Sequence, residues 1–414
     1  MSKRTVLMVA FHYPPQCVSS GVQRTVNFVR HLPDLQWNPV VLSANERAYE
    51  VHSKAFMPDW KDDNTVVRAF ALDASRHLGI GRRYPRLLAL PDRWSSWWLG
   101  GTRAGKRLIR ENGVDVIWST QPIPTAHMIA LSLVKWSGLP WIADFRDPII
   151  NRTPPADRLL RSALQRIESR TIALASRCVF TTEAMAAMYR QRYPQAAEKF
   201  VVIPNGYDES VFDSGHPNRF GAAPDKLLIL HSGHIYPAER DPSALFKAIR
   251  SLLDRGLIDP DRLCLRFRAS GSDPLLLDLA KQHGVEHVLD LASPLPYQEA
   301  INEVMAADVL LVLQGSAFNA QVPAKTYEYL RAGRPILALT DPTGDTTALL
   351  RGFLTPVCVE LDNDVAITRG LEHLIARGDT AKADLAADQQ ASLAFSRKQQ
   401  AATLAGEFGR IAGN

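Results

Sequence analysis

Cysteine is scarce in this chain of 414 residues: Cys17, Cys178, Cys264 and Cys358 lie far apart, with no Cys-x-x-Cys pair and no mixed Cys/His cluster. That spacing argues against both a disulfide framework and a structural zinc site, and it suits a reducing cytosol. No apolar run approaches the ~20 residues needed to cross a bilayer. There is no internal repeat, and the 24 glycines and 27 prolines follow no fixed period, which excludes collagen-like and low-complexity architectures. No Asp-x-Asp pair falls at a strand end suited to a metal; Asp362-Asn363-Asp364 comes late and reads as a turn.

What is present is a well-packed composition, 46% hydrophobic and 22% charged. At roughly 100–200 residues per domain this length favours two domains. Met1-Ser2-Lys3-Arg4 precedes a short apolar run that gives way to His12-Tyr13-Pro14-Pro15, so the run reads as a buried first strand rather than a signal peptide.

Charge is uneven. Between Arg76 and Arg110 stand nine basic residues, Arg82 and Arg83 among them, against the single acid Asp92; the segment is +8 and the rest of the chain −3. A helical projection puts Trp94, Trp97, Trp98, Gly101 and Leu108 on one side and Arg103, Lys106, Arg107 and Arg110 on the other. Aromatics opposite cations suit a helix on an anionic membrane surface. An ordinary surface helix with its tryptophans packed inward has the same pattern. No nucleic-acid motif accompanies the cluster.

Short apolar runs alternate with helical patterns along the whole chain. Val6–Phe11, Val40–Leu42, Val66–Ala69, Val114–Ser119, Trp141–Asp144, Cys178–Thr181 and Val201–Ile203 read as buried strands. After a turn-rich stretch the pattern restarts at Leu227–Leu230 and continues through Leu263–Ala269, His287–Asp290, Val309–Leu313, Pro335–Leu339 and Val357–Val359. This is the grammar of α/β structure with parallel sheets and crossover helices. It predicts two doubly wound, Rossmann-like domains, 1–210 and 211–395, facing one another across a cleft, with a polar helix over 396–414 that braces both.

Three segments suggest chemistry. The first strand runs into Ser19-Ser20-Gly21-Val22-Gln23-Arg24, a small-residue loop opening a helix; it offers backbone N–H groups to an anion, or is a simple turn. His231-Ser232-Gly233 leads to Arg240-Asp241-Pro242, where Arg240 either clamps a diphosphate or pairs with Glu239 or Asp241. Gln321-Val322-Pro323-Ala324-Lys325 opens a helix that closes at Gly333-Arg334-Pro335. Lys325 at its N-terminus would attract phosphate and Glu328 would accept from a ribose diol, although an i,i+3 ion pair has the same spacing.

The run from Pro323 to Pro335 resembles the sugar-nucleotide helix of glycosyltransferase family 4, retaining enzymes with the GT-B fold. Ser119-Thr120-Gln121-Pro122 with His127, and Pro140-Trp141-Ile142-Ala143-Asp144-Phe145-Arg146-Asp147-Pro148, resemble a bacterial branch concerned with exopolysaccharide and other surface glycans. Ile203-Pro204-Asn205-Gly206-Tyr207-Asp208 is similar to the family's interdomain segment. The resemblance implies Gly21 and Gly233 near donor phosphate, Arg240 and Lys325 neutralising the diphosphate, Val322 and Glu328 in the nucleotide site, and Gly271 beside the base. It places Arg24, His127, Asp144, Arg146 and Asp147 on the acceptor side, with His127 and Asp144 as catalytic candidates. No metal or other cofactor is implied.

Three positions depart from the family pattern: Ala320 stands where the first of two glutamates is usual, Ser20-Gly21 replaces a glycine pair, and Ser119-Thr120 replaces a histidine. The expectation is transfer of a sugar from a UDP-linked donor to a membrane-associated, lipid-linked glycan, at the cytoplasmic face of the cell membrane. The rivals are a nucleotide-sugar epimerase of similar architecture and a non-catalytic sugar-nucleotide-binding protein. Asn151-Arg152-Thr153 matches a glycosylation pattern that has no meaning in the cytosol.

Overall fold

The computed structural model describes residues 3–16, 20–50, 66–79, 84, 86–150, 155–236, 240–377 and 382–413. Cys17, Arg82, Arg83, Asn151-Arg152-Thr153 and Glu239 lie outside them. The chain forms two compact units, Met1–Pro204 with Arg397–Asn414, and Asn205–Ser396.

In the first unit the strands are β1 (Arg4–Val9), β2 (Trp37–Ala44), β3 (Val66–Ala69), β4 (Val114–Thr120), β5 (Trp141–Phe145), β6 (Arg177–Phe180) and β7 (Phe200–Val202). They make one parallel sheet in the order β3-β2-β1-β4-β5-β6-β7, with Leu7 opposite Val40 on one side and Ile117 on the other. In the second unit β8 (Leu227–Ser232), β9 (Leu263–Arg268), β10 (Leu289–Ala292), β11 (Val309–Gln314), β12 (Ile336–Thr340) and β13 (Val357–Val359) form a parallel sheet ordered β10-β9-β8-β11-β12-β13. Both are the doubly wound sheets that the alternation of apolar runs predicts. Strand β10 is displaced by two residues, starting at Leu289 because Glu286–Val288 is a 3-10 turn.

The helices are α1 (Ser20–His31), α2 (Ala74–His77), α3 (Trp97–Asn112), α4 (Pro124–Ser137), α5 (Arg158–Leu174), α6 (Glu183–Arg192), α7 (Glu209–Asp213), α8 (Ser243–Asp254), α9 (Asp273–Gln282), α10 (Tyr297–Ala306), α11 (Ala324–Ala332), α12 (Asp345–Leu350), α13 (Asp364–Arg377), α14 (Lys382–Ser392) and α15 (Arg397–Ala412). Helix α15 belongs to the first unit. Its Ala401, Leu404 and Phe408 join Val6, Met8, Phe28 and Val41 in one apolar cluster, and Phe408 meets Trp37 at 5.1 Å between ring centroids. None of the described helices is long and apolar enough to cross a membrane.

The tryptophan face of α3 needs correction. Trp97 is 0% exposed and packs on Phe11; Trp94 also packs on Phe11 and donates its indole N–H to the Ala48 carbonyl at 3.0 Å. The reason is close helix packing: Gly101 and Gly105 lie against Ile129 and Leu133 of α4, and a Cβ at Gly105 would be 2.6 Å from Leu133 Cδ1. The glycines of this face form the seam with α4, while Trp94 and Trp97 pack on Phe11 beyond the end of β1. Of the projected aromatics only Trp98 is exposed; the other exposed apolar groups nearby are Leu87 (74%), Leu99 (68%), Leu88 and Trp136, with Lys106 and Arg110 over the Trp136 ring at 5.3 and 5.0 Å. Trp97→Ala should therefore lower unfolding free energy by ~3–5 kcal/mol in a denaturant titration. A loss below about 1 kcal/mol would contradict this packing.

Candidate active site

Strand order reverses once in each sheet, between β1 and β4 and between β8 and β11. Ligands of open parallel sheets bind outside the carboxyl ends of the strands at such points. The candidate residues follow strand ends near both: Gly21 follows β1, Ser119 and Thr120 end β4, Asp144 ends in β5, Gly233 follows β8, Gly271 follows β9, and Lys325 follows β11.

In the second unit, Gly233 turns the chain with φ +117°, a backbone region that favours glycine. The loop is pinned to the end of β9 by Gly233 N–H to the Arg268 carbonyl and Ile235 N–H to the Ser270 carbonyl, both 2.8 Å. A Cβ at Gly233 would stand 2.9 Å from Lys325 Nζ. Lys325 occupies the first turn of α11, where Pro323 at the N-cap makes no side-chain hydrogen bond to the leading N–H groups. Its Nζ lies 3.0 Å from His231 Nε2. Burial first, and the Arg240 charge second, pull Lys325 down to about 7, against the opposing effect of Glu328.

One turn along α11, Glu328 Oε1 accepts from the Tyr297 hydroxyl at 2.7 Å. Arg240 donates from Nη1 to the His234 carbonyl at 2.8 Å and lies 5.0 Å over the Tyr236 ring; Asp241 instead accepts from Ser243. Gly271, at φ +68°, leaves room for the His234 ring, which a Cβ there would meet at 2.9 Å. Gly233, Gly271, Arg240, Lys325 and Glu328 are thus linked through direct neighbours. Val322 is buried in the apolar cluster of Tyr327 and Leu330, so its side chain anchors the loop before α11. Gln314 steadies the same loop, donating to the carbonyls of Phe318 and Gln321 at 2.8 Å each while accepting from Thr346. Gln314, Thr346, His231 and Tyr297 carry no local sequence signal of these roles; the end of an apolar strand is the only hint for the first and third.

In the first unit the candidates fall into buried clusters. Arg24 grips Asp144 with two bonds, Nε to Oδ2 at 3.1 Å and Nη2 to Oδ1 at 2.8 Å, and also donates to the carbonyls of Ile203 (3.0 Å) and Pro204 (2.9 Å). Thr120 adds a 2.7 Å bond to Asp144. Both members of the pair are buried, so they face one another rather than solvent. His127 Nδ1 lies 2.8 Å from Ser119 Oγ, which also accepts from the Trp141 indole at 2.9 Å. Burial lowers His127 to about 3, with Asp144 opposing, and the ring is neutral. Arg146 donates to the Gln121 carbonyl at 3.4 Å; burial lowers it, and Asp147 and Asp144 oppose.

Residues 20–211 match the family model described as Glycosyltransferase Family 4. Over those residues the chain is similar to glycosyltransferase family 4. A D-inositol 3-phosphate glycosyltransferase of Thermobifida fusca (strain YX) is 26% identical over 252 residues, 58% of this chain and 52% of that protein. The match spans about half the length of that relative. Among solved structures, a glycosyltransferase from Rickettsia africae ESF-5 has a TM-score of 0.66 at 14% identity over 100% of both chains. Anabaena HepE in complex with UDP and glucose has a TM-score of 0.65 at 13% identity, covering 99% of this chain and 100% of that one. The fold common to these structures and this chain is GT-B.

A pH dependence follows from Lys325. In the free protein it is charged below pH about 7; a bound diphosphate, being anionic, raises that value, so capture above pH 7 needs proton uptake. Nucleoside-diphosphate affinity should be greatest at or below about pH 7 and fall by up to about tenfold per unit above it. Calorimetric titrations across that range test this; a flat profile would place Lys325 away from the anion.

Proposed function

We propose that the chain is a retaining hexosyltransferase that moves a sugar from a UDP-linked donor to a membrane-associated, lipid-linked glycan in surface-polysaccharide synthesis, without a resident metal. The observation that carries this reading is the cationic cluster of the second unit: Lys325 Nζ stands against the Gly233 turn at the start of α11, within reach of the Arg240 charge. Both cations and the helix N-terminus would receive the diphosphate, Glu328 the ribose and the Gly271 turn the base. The UDP complex of the Anabaena structure supports uridine as the base.

In the reaction, the bond between the anomeric carbon and the β-phosphate oxygen breaks and its electron pair leaves with the diphosphate. The acceptor oxygen bonds to that carbon on the same face, and its proton passes to the departing phosphate oxygen. Lys325, Arg240 and the α11 N-terminus stabilise the charge that develops on the leaving group. Arg146 and Asp147 serve the acceptor, while the buried His127–Ser119 contact and the Arg24–Asp144 pair fix the ends of β4, β5 and β7.

Purified protein incubated with a panel of nucleotide sugars, with and without a membrane extract of the producing cells, tests the reading. Extract-dependent release of one nucleotide is expected. Binding without release would assign the chain to sugar-nucleotide binding alone, the reading that Ala320 favours, and conversion of the donor without extract would indicate an epimerase. Arg240→Ala and Glu328→Ala should each weaken nucleotide-diphosphate binding about 10- to 100-fold, the worth of hydrogen bonds to charged groups. Wild-type affinity in both would remove this donor site.

Attachment to the inner membrane face rests on the exposed Leu87, Leu88 and Leu99 beside Arg103, Lys106, Arg107 and Arg110. Leu87→Ser/Leu99→Ser should reduce flotation with anionic liposomes while leaving nucleotide binding intact. Unchanged flotation would end the membrane role of this surface.

A further inference from the structure

The penultimate residue of β8, His231, is 0% exposed. Its ring is fixed on three sides. Nδ1 lies 2.9 Å from the carbonyl of Leu311, in β11, the strand paired to β8 through Leu310 opposite Leu230. Phe267 of β9 packs against the ring at 5.8 Å between centroids. Nε2 lies 3.0 Å from Lys325 Nζ. A carbonyl only accepts, so the proton is on Nδ1 and Nε2 presents its lone pair. The ammonium of Lys325 is therefore the donor to Nε2.

The chemistry of that acceptor matters because Lys325 is to meet an anion. A carboxylate in the place of the imidazole would hold the ammonium equally well but would cancel its charge, whereas a neutral imidazole orients it and leaves the charge in place. A second bond keeps the two elements in register: Ser232 N–H donates to the Tyr329 hydroxyl at 3.0 Å, one turn beyond Lys325 on α11.

We propose that His231 is a positioning residue for diphosphate capture: as the neutral Nδ1–H tautomer it aims Lys325 Nζ at the Gly233 turn without neutralising it. The inference rests on the donor-site reading above. Burial, followed by the charge of Lys325, keeps His231 well below its ordinary value, in keeping with a neutral ring. The other charged groups acting on Lys325 are Arg240 and Glu328.

Two substitutions separate positioning from packing. His231→Asn keeps a donor at the δ position for the Leu311 carbonyl but removes the acceptor at the ε position, whereas His231→Gln restores an ε-position acceptor. The tightest binder among UDP, ADP and GDP is titrated by calorimetry, with its parent nucleoside as a phosphate-free control. His231→Asn should weaken the diphosphate about tenfold or more and leave the nucleoside unchanged, while His231→Gln stays within about threefold of wild type. In a Lys325→Met background, His231→Asn should have no further effect. Equal losses in the Asn and Gln variants, an unchanged Asn variant, or a full loss on top of Lys325→Met would each overturn the proposal. Wild-type affinity in Lys325→Met alone would instead overturn the donor site itself. Should His231→Asn fail to fold by circular dichroism, His231→Gln and the double variant His231→Gln/Lys325→Met decide by the same comparison.

Discussion

A parallel sheet must be buried on both faces, and this constraint governs the molecule. Strands β1, β5, β9, β11 and β12 present buried residues at nearly every position, so neither side of either sheet can meet water. Each sheet accordingly carries two apolar clusters, one per face. In the first unit the helices between successive strands do not complete the cover. Helix α15 supplies the rest, packing beside α1 over Val6, Met8 and Val41.

The same constraint decides where polar chemistry is found. With strand interiors committed to apolar contact, polar side chains collect at strand ends, and there they are held by hydrogen bonds instead of by packing. Asp144 at the end of β5, His231 at the end of β8 and Gln314 at the end of β11 all follow this rule. Each holds another group: Asp144 holds Arg24, His231 holds Lys325, and Gln314 holds the loop that leads into α11. Buried polar groups are costly unless satisfied, and once satisfied they fix geometry more sharply than apolar contacts do.

The fold was largely legible because short apolar runs, separated by helical spacing, admit few other architectures. Every strand has its counterpart in such a run. Lys325 and Glu328 were legible as a pair because a proline and a glycine bracket their helix. His231 was not, since the residue it serves lies 94 positions away and no local pattern records a partner across the β8–β11 switch point. Trp97 was legible only as a choice between a lipid surface and inward packing: a helical projection identifies an apolar face but not what covers it, and here Phe11 does. Gly101 and Gly105 are the clue to close packing, since their missing side chains admit Ile129 and Leu133 of α4.

The chain passes between its units twice, at Pro204–Asn205 and again at Ser396–Arg397. The second unit is contiguous and can close its core as soon as it has been synthesised. The first cannot: the face formed by Val6, Met8 and Val41 waits for Phe408, some four hundred residues later. On the ribosome, therefore, the part made first is the part finished last, and its uncovered sheet face is what a chaperone would meet during most of translation.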